Sequence, residues 1–111
     1  MEKIIQKFKA MGDENRFRIL MLLLQKPLCV CELLEVLEIK GGTLSAHLKI
    51  LKHADLISQK KEGRWIIYSI ASENTKKFLN DLEIKNKEMI KQDKLKIEKI
   101  NREICSTRKR L

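Results

Sequence analysis

Residues 43–70 read TLSAHLKILKHADLISQKKEGRWIIYSI, and the period of their apolar residues changes partway along. In the first part the leucines recur at the i, i+4, i+7 spacing of a helix that buries one side: Leu44, Leu48 and Leu51. In the second part, residues 56–61 and 64–70 are β-rich runs joined around Glu62-Gly63, a pattern typical of a hairpin. We therefore predict a helix over about residues 43–53, followed by a hairpin with a basic tip.

Three shorter helices are predicted before this stretch, and each has a local boundary signal. The first spans residues 1–11 and is interrupted at Gly12. Asp13 has the residue type of an N-cap, so we expect the second helix to begin after it and to end at Lys26-Pro27. The third covers about residues 30–37, and residues 40–42 are expected to form the turn after it.

Residues 73–104 are predicted to form one further helix, because the pattern there is helical and contains neither Gly nor Pro. Its late apolar residues are spaced 3, 4 and 7 apart, as in a helix that packs on another helix: Ile97, Ile100, Ile104 and Leu111. A stripe of this kind, protruding past a small core, indicates a partner subunit. A short basic tail follows at residues 108–110.

The chain of 111 residues is expected to form one domain that is mainly α with a β-hairpin wing. Helices two to four, followed by the basic hairpin, make a winged helix-turn-helix. In that arrangement one helix enters the major groove, the preceding helix braces it, and the cations of the hairpin reach backbone phosphates. A generic helical domain with a surface hairpin is the alternative, but it does not predict charge clustered on the fourth helix and the hairpin.

The charge of the chain points to a polyanionic partner. Lys and Arg number 24 against 15 Asp and Glu, for a formal net charge of +9. Residues 40–64 alone hold six basic residues against two acidic ones, which favours nucleic acid. No apolar run approaches the roughly 18 residues of a membrane span, and the first nine residues do not form a signal-peptide core. We therefore expect a cytoplasmic protein with no membrane partner.

The fourth predicted helix offers a face to double-stranded DNA. With its leucines turned inward, the positions furthest from the core are Gly42, Ala46, Lys49 and His53. The candidate DNA contacts on this helix are polar, basic or small residues: Thr43, Ser45, Ala46, His47 and Lys49. His47 lies nearer the core margin, so a packing or phosphate role and base reading both remain open. At the wing, we expect Lys60, Lys61 and Arg64 to contact phosphates.

The cysteines form a second candidate site. Cys29, Cys31 and Cys105 are an odd number in a chain without a secretion signal, which argues against a disulfide framework. Thiolates are soft ligands that select soft ions. Residues i and i+2 of a helix differ by about 200°, so Cys29 and Cys31 share an ion only if Cys29 precedes the third helix or its first turn unwinds. The alternative is that one or both are small buried residues.

Four motifs occur in a fixed order: MGDENRFRIL at residues 11–20, LCVCEL at 28–33, LSAHLKIL at 44–51 and GRWIIY at 63–68. Together they resemble the ArsR/SmtB family of winged-helix metalloregulators over roughly residues 8–72. The resemblance implies a homodimeric repressor, joined through its terminal helices, that leaves operator DNA when it binds a metal, a metalloid or another inducer. A two-fold dimer requires a near-palindromic operator.

The same resemblance places Cys29-Val30-Cys31 at the thiol-rich sensing position of the family. Its arsenical sensors commonly carry a third thiol three residues later, where this chain has Leu34. Arsenite or antimonite is the best candidate inducer, and Cys29, Cys31 and Cys105 are its candidate ligands, with Cys105 supplied by the same or the partner subunit. The alternatives are that a small cellular thiol is the third ligand or that the site differs from the arsenical one.

The cysteines are also compatible with two other functions. One is a redox or reactive-sulfur switch that uses the same cysteines and keeps the DNA binding. The other is thiol-exchange catalysis. The chain has no motif for a catalytic cofactor and no nucleophile elbow, so we do not expect an enzyme.

Overall fold

The structure, a computed structural model, describes residues 2–83, 87–100 and 102. Helices and strands follow one another within this part of the chain in the order α1 (Glu2–Met11), α2 (Glu14–Gln25), β1 (Leu28–Cys29), α3 (Val30–Leu37), α4 (Gly41–His53), β2 (Ile57–Glu62), β3 (Trp65–Ile70), α5 (Glu73–Glu83) and α6 (Lys87–Glu98). The prediction of a mainly helical fold with a β-hairpin wing is confirmed.

The second helix forms the centre of the core. Residues 19–23 of α2 are all buried, and the helix contacts α1, α4, α5, α6 and β3. Its N-cap is Asp13, as predicted, because the side chain accepts a hydrogen bond from the backbone N–H of Arg16 at 3.1 Å. That bond also holds the pKa of Asp13 below its ordinary value. A cap of this kind stabilises a helix by about 1 kcal/mol.

The wing belongs to a three-stranded antiparallel sheet in the order β1-β3-β2. The hairpin has a two-residue loop between Glu62 and Trp65, in which Gly63 has a φ of 60°. A positive φ at the first central residue is the pattern of a type II′ turn, which Gly adopts without strain. The β1 strand is not predicted by the sequence, because a strand of two residues has no period.

The fourth helix begins at Gly41, two residues before the predicted start. The prediction that residues 40–42 form a turn is wrong, because the chain reverses earlier. Glu38 has φ 56° and ψ 41°, the left-handed conformation that ends a helix, and its N–H bonds the carbonyl of Leu34. Lys40 then returns to extended backbone as the N-cap of α4.

The predicted C-terminal helix over 73–104 is also corrected. Its described part consists of α5 and α6, and the helix is interrupted at residues 99 and 100, directly after α6. Ile97 and Ile100 are 5% and 7% exposed within the protomer, so these two side chains do not protrude toward a partner. The carboxylate of Asp93 binds the guanidinium of Arg18 at 3.0 and 3.3 Å, which fixes α6 against α2. Ile104, Leu111 and the basic tail lie outside the described residues.

Candidate DNA interface and thiol pair

The fourth helix presents an exposed face with the predicted composition. Leu44, Leu48 and Leu51 are buried, as the spacing predicted. The opposite positions are exposed: Gly42, Thr43, Ser45, Ala46, Lys49 and His53. This face carries hydroxyl, methyl and ammonium groups and no carboxylate, so it is able to meet both base edges and phosphates.

His47 lies on the inner margin of this face and is tied to the junction of α1 and α2. Its side chain is 12% exposed. Nη1 of Arg16 lies 3.3 Å from its Nδ1, and Nε2 lies 3.9 Å from the Asp13 carboxylate. Arg16 also donates from Nε to the carbonyl of Ala10 at 2.6 Å. The geometry therefore gives His47 a packing role that orients α4; a DNA contact from it remains a prediction.

The wing carries its cations at the tip, where the sequence placed them. Lys60, Lys61 and Arg64 are all exposed. The guanidinium of Arg64 stacks over the ring of Trp65 at 4.5 Å, a cation–π contact that orients it. Nζ of Lys60 lies 3.5 Å from the carboxylate of Glu62. The wing is thus a basic surface that also contains one acid at its tip.

Grooves border α4 on two sides. One of about 520 Å³ separates it from the sheet, and its lining includes Lys49, Lys52 and Gln59. Another of about 430 Å³ lies toward α1, and its lining includes Lys9 and Lys49. Lys9 and Lys52 were not among the residues predicted to contact DNA. Lys52 is an exposed residue of α4 itself, whereas the position of Lys9 beside α4 depends on the packing of α1 and is not visible in the sequence.

The two nearby cysteines meet at the start of α3. Cys29 is the N-cap, with φ −90° and ψ 170°, and Cys31 lies in the first turn. Their sulfur atoms are 3.2 Å apart. Of the two arrangements expected to let the sulfurs converge, the structure has Cys29 before the helix and not an unwound first turn. Cys29 is 1% exposed, and Cys31 is partly exposed.

The surroundings of Cys29 favour its neutral form. Burial raises the pKa of the thiol, and the Glu32 carboxylate raises it further. The same carboxylate, on a residue 3% exposed, accepts a hydrogen bond from the backbone N–H of Cys29 at 2.9 Å. A soft ion binding here has to displace a proton from sulfur.

The third predicted ligand, Cys105, lies outside the described residues. In residues 2–83, 87–100 and 102, no group of three or more His, Cys, Asp or Glu side chains is arranged to hold a metal ion. A three-sulfur site therefore needs a ligand from beyond this part of the chain.

None of the helices in the described ranges combines the length and apolar character needed to cross a bilayer.

A polar network beside the thiols was not foreseen from the sequence. Arg102 lies 3.5 Å from the carboxylate of Glu32 through Nε and 3.2 Å from that of Glu62 through Nη1. The spacing of Cys29 and Glu32 is that of a capping box and is visible in the sequence. The position of Arg102 has no local signal, because it depends on how α6 folds back on the core.

The comparisons agree with the fold. A family model described as "Bacterial regulatory protein, arsR family" matches residues 13–59. The arsenical resistance operon repressor of Bacillus subtilis is 39% identical over 82 residues, which cover 73% of this chain and 78% of that protein.

Two solved structures carry the same architecture. Reduced HlyU from Vibrio cholerae has a TM-score of 0.72 at 32% identity and covers 78% of this chain and 92% of its own. A homodimeric winged helix-turn-helix DNA-binding domain from Mycobacterium bovis has a TM-score of 0.71 at 26% identity, over 75% of this chain and 77% of its own.

Proposed function

Because the chain belongs to the arsR family of bacterial regulatory proteins, we propose that it is a transcriptional repressor that binds operator DNA as a homodimer and dissociates when arsenite or antimonite binds its cysteine thiolates. The observation that carries the inducer assignment is the 3.2 Å contact between the sulfurs of Cys29 and Cys31, at the start of the helix that braces α4. Similarity to an arsenical resistance repressor supports the same inducer class.

Operator binding is supported by the composition of two adjacent surfaces. The face of α4 supplies Thr43, Ser45, Ala46 and Lys49 for the major groove, and the wing supplies Lys60, Lys61 and Arg64 for phosphates. Cationic contacts of this kind give the affinity a steep salt dependence, with a slope that grows with the number of phosphates neutralised. His47 acts mainly by holding α4 against α2.

The homodimer is supported by apolar side chains left exposed on α1 and α5. Ile4, Ile5 and Phe8 are 58%, 48% and 57% exposed, and Phe78 is 41% exposed. The rings of Phe8 and Phe78 meet edge to face at 6.3 Å, so α1 and α5 form one apolar patch. A second copy of this chain covers that patch. The two α4 helices are then about 34 Å apart, which requires near-palindromic half-sites.

Inducer binding is expected to act through the position of Cys29 in the fold. Cys29 pairs with Ile67 of β3 and caps α3, and α3 precedes α4 by three residues. An ion held by Cys29 and Cys31, with Cys105 as the proposed third ligand, fixes the two sulfurs at its own preferred separation and so changes the start of α3. Release of DNA requires that this rearranged state bind DNA more weakly than the ion-free state.

The test is an inducer titration against DNA. Duplexes enriched by the protein from a random pool provide the probe, and fluorescence anisotropy reports release by arsenite, antimonite, cadmium or zinc under a phosphine reductant. We expect the trivalent metalloids to release DNA from the wild type, and Cys29→Ser and Cys31→Ser to abolish release while DNA is still bound. Cys105→Ser tests the third ligand, and Ser58→Ala is the matched control. The proposal would be contradicted if arsenite and antimonite did not weaken the binding of DNA by the wild type.

The sulfur contact also favours a second candidate, the redox or reactive-sulfur switch. Disulfide formation removes two protons and two electrons from a pair of thiols, so hydrogen peroxide or a polysulfide has to accept the electrons. Mass spectrometry of the released protein distinguishes the two candidates. A species lighter by the mass of two hydrogens, or heavier by added sulfur, identifies the switch, whereas an arsenic adduct identifies the metalloid sensor.

A further inference from the structure

A continuous chain of polar contacts runs from the thiol pair to the tip of the wing. The backbone N–H of Cys29 donates to the carboxylate of Glu32 at 2.9 Å. Arg102 lies 3.5 Å from Glu32 through Nε and donates from Nη1 to Glu62 at 3.2 Å. Glu62 is the last residue of β2, directly before the turn of the hairpin. One guanidinium thus joins the capped end of α3 to the wing.

The burial of Glu32 explains why this bridge holds. Its side chain is 4% exposed, and a carboxylate taken out of water is costly unless it is paired and hydrogen-bonded. The Cys29 N–H and the Arg102 guanidinium supply those partners. Glu62 is 44% exposed and has water and the ammonium of Lys60, at 3.5 Å, as alternative partners. Glu32 therefore depends on Arg102 for pairing of its charge more than Glu62 does, although the shorter contact, a hydrogen bond at 3.2 Å, is the one to Glu62.

We propose that Arg102 is a positioning residue that transmits the state of Cys29 to the wing. This inference rests on the proposed function, because it takes Cys29 as the residue to which the inducer binds. Cys29 supplies both a sulfur to the ion and a backbone N–H to Glu32, so a change in its position changes the hydrogen bonding of the Glu32 carboxylate. The guanidinium is planar and rigid, so a movement of its Nε at Glu32 also moves its Nη1 at Glu62.

The other end of α3 provides a comparison within the same molecule. Nζ of Lys96, on α6, donates to the carbonyl of Val36 at 3.4 Å and lies 3.6 Å from the carboxylate of Glu38. The C-terminal segment therefore contacts α3 at both ends. At the Lys96 end, neither contact includes the wing, so Lys96 holds α6 in place without joining the sensor to the DNA-binding surface.

The wing contains its own reporter for the test. Trp65 is the single tryptophan of the chain, and it pairs with Glu62 across the hairpin. We would titrate the reduced full-length protein with sodium arsenite in the absence of DNA and record Trp65 fluorescence. Mass spectrometry of the same samples would count the bound arsenic. The variants are Glu62→Gln, Arg102→Gln and Lys96→Gln, and Glu73→Gln is the control for removing an exposed acid.

The expected result is a change in Trp65 emission on arsenite binding for the wild type and for the Lys96 and Glu73 variants. Glu62→Gln and Arg102→Gln are expected to bind arsenic without that change. In a DNA titration, the arsenite-induced fall in affinity, typically about 5- to 150-fold for allosteric coupling, is expected to shrink to less than about threefold in both. The double variant Glu62→Gln/Arg102→Gln is expected to show the same arsenite-induced fall in DNA affinity as Arg102→Gln alone, because both changes break the same bridge.

Three outcomes would overturn the inference. A normal Trp65 change and normal release in Glu62→Gln would exclude the bridge, and this exposed substitution carries little risk to folding. An equal loss in Lys96→Gln would assign the effect to docking of α6. If the wild type binds arsenic and releases DNA without any change in Trp65 fluorescence, the wing is excluded as the responding element. A wild type that binds no arsenic would instead refute the proposed function.

Discussion

The ion pair between Arg18 and Asp93 is expected to determine how firmly α6 is docked, and its removal gives the most direct test of the C-terminal packing. Two guanidinium nitrogens of Arg18 contact the two carboxylate oxygens of Asp93, at 3.0 and 3.3 Å. The side chain of Asp93 is 5% exposed and that of Arg18 is 19% exposed. The perturbation is Asp93→Asn, which keeps the shape of the side chain and removes its charge.

The magnitude follows from the burial of the charge that is left behind. Breaking one partner of a buried pair costs about 3–5 kcal/mol. Arg18 retains some water and the amide still accepts one hydrogen bond, so we expect a loss of about 2–3 kcal/mol in the free energy of unfolding. With a urea dependence of about 1–3 kcal/mol per molar, the urea midpoint falls by about 0.7–3 M. Far-UV circular dichroism at fixed protein concentration measures it.

Two comparisons make this prediction refutable. Asp81→Asn, at an exposed position of α5, is expected to change stability by less than about 0.5 kcal/mol. The double variant Arg18→Met/Asp93→Leu is expected to recover most of the loss, since an apolar pair carries no charge to desolvate. A loss in Asp93→Asn no larger than in Asp81→Asn would show that the pair does not anchor α6.

Further predictions concern the wing, the thiol and the dimer. Lys61→Gln is expected to weaken binding of all duplexes similarly and to lower the salt slope by about 1, as measured by anisotropy at several salt concentrations; an unchanged slope would exclude a phosphate contact. The pKa of Cys29 is raised in the folded protein, so this thiol adds to the free energy of unfolding at pH values below its ordinary pKa. That contribution is lost as the pH rises through the raised value. Urea titrations at rising alkaline pH should therefore show a smaller fall in the free energy of unfolding for Cys29→Ser than for the wild type. An equal fall in both proteins would contradict this. Phe8→Glu is expected to give monomers in light scattering and to weaken operator binding, whereas Glu2→Gln should do neither.

The elements recovered from the sequence are those with a period or a local boundary signal. Leu44, Leu48 and Leu51 identified the buried side of α4, and Asp13 identified the start of α2. The convergence of Cys29 and Cys31 followed from the geometry of a helix start. Each of these inferences depends on residues within a few positions of one another, where backbone geometry alone decides the outcome.

The features that were missed depend on contacts between distant residues. Arg102 lies next to Glu32 because α6 folds back, a contact across 70 positions that no spacing reveals. The start of α4 was misplaced because Gly41-Gly42 has the composition of a turn, whereas Glu38 adopts the left-handed conformation. Neither glycine would clash if it carried a Cβ, so packing within the described chain does not require glycine there.

Leu28 and Cys29 connect three elements of the fold, so a change at the thiol pair is expected to affect all three. As β1 they form the edge of the sheet that carries the wing, with Cys29 paired to Ile67. Cys29 also caps α3 and, through Glu32, reaches the Arg102 bridge. A ligand at a mid-helix position would be resisted by the hydrogen bonds on both sides of it. A ligand at this junction needs to displace one cap to disturb the sheet, the bracing helix and the C-terminal segment together. The short β1 strand is therefore the segment through which chemistry at sulfur is expected to change the shape of the DNA-binding surface.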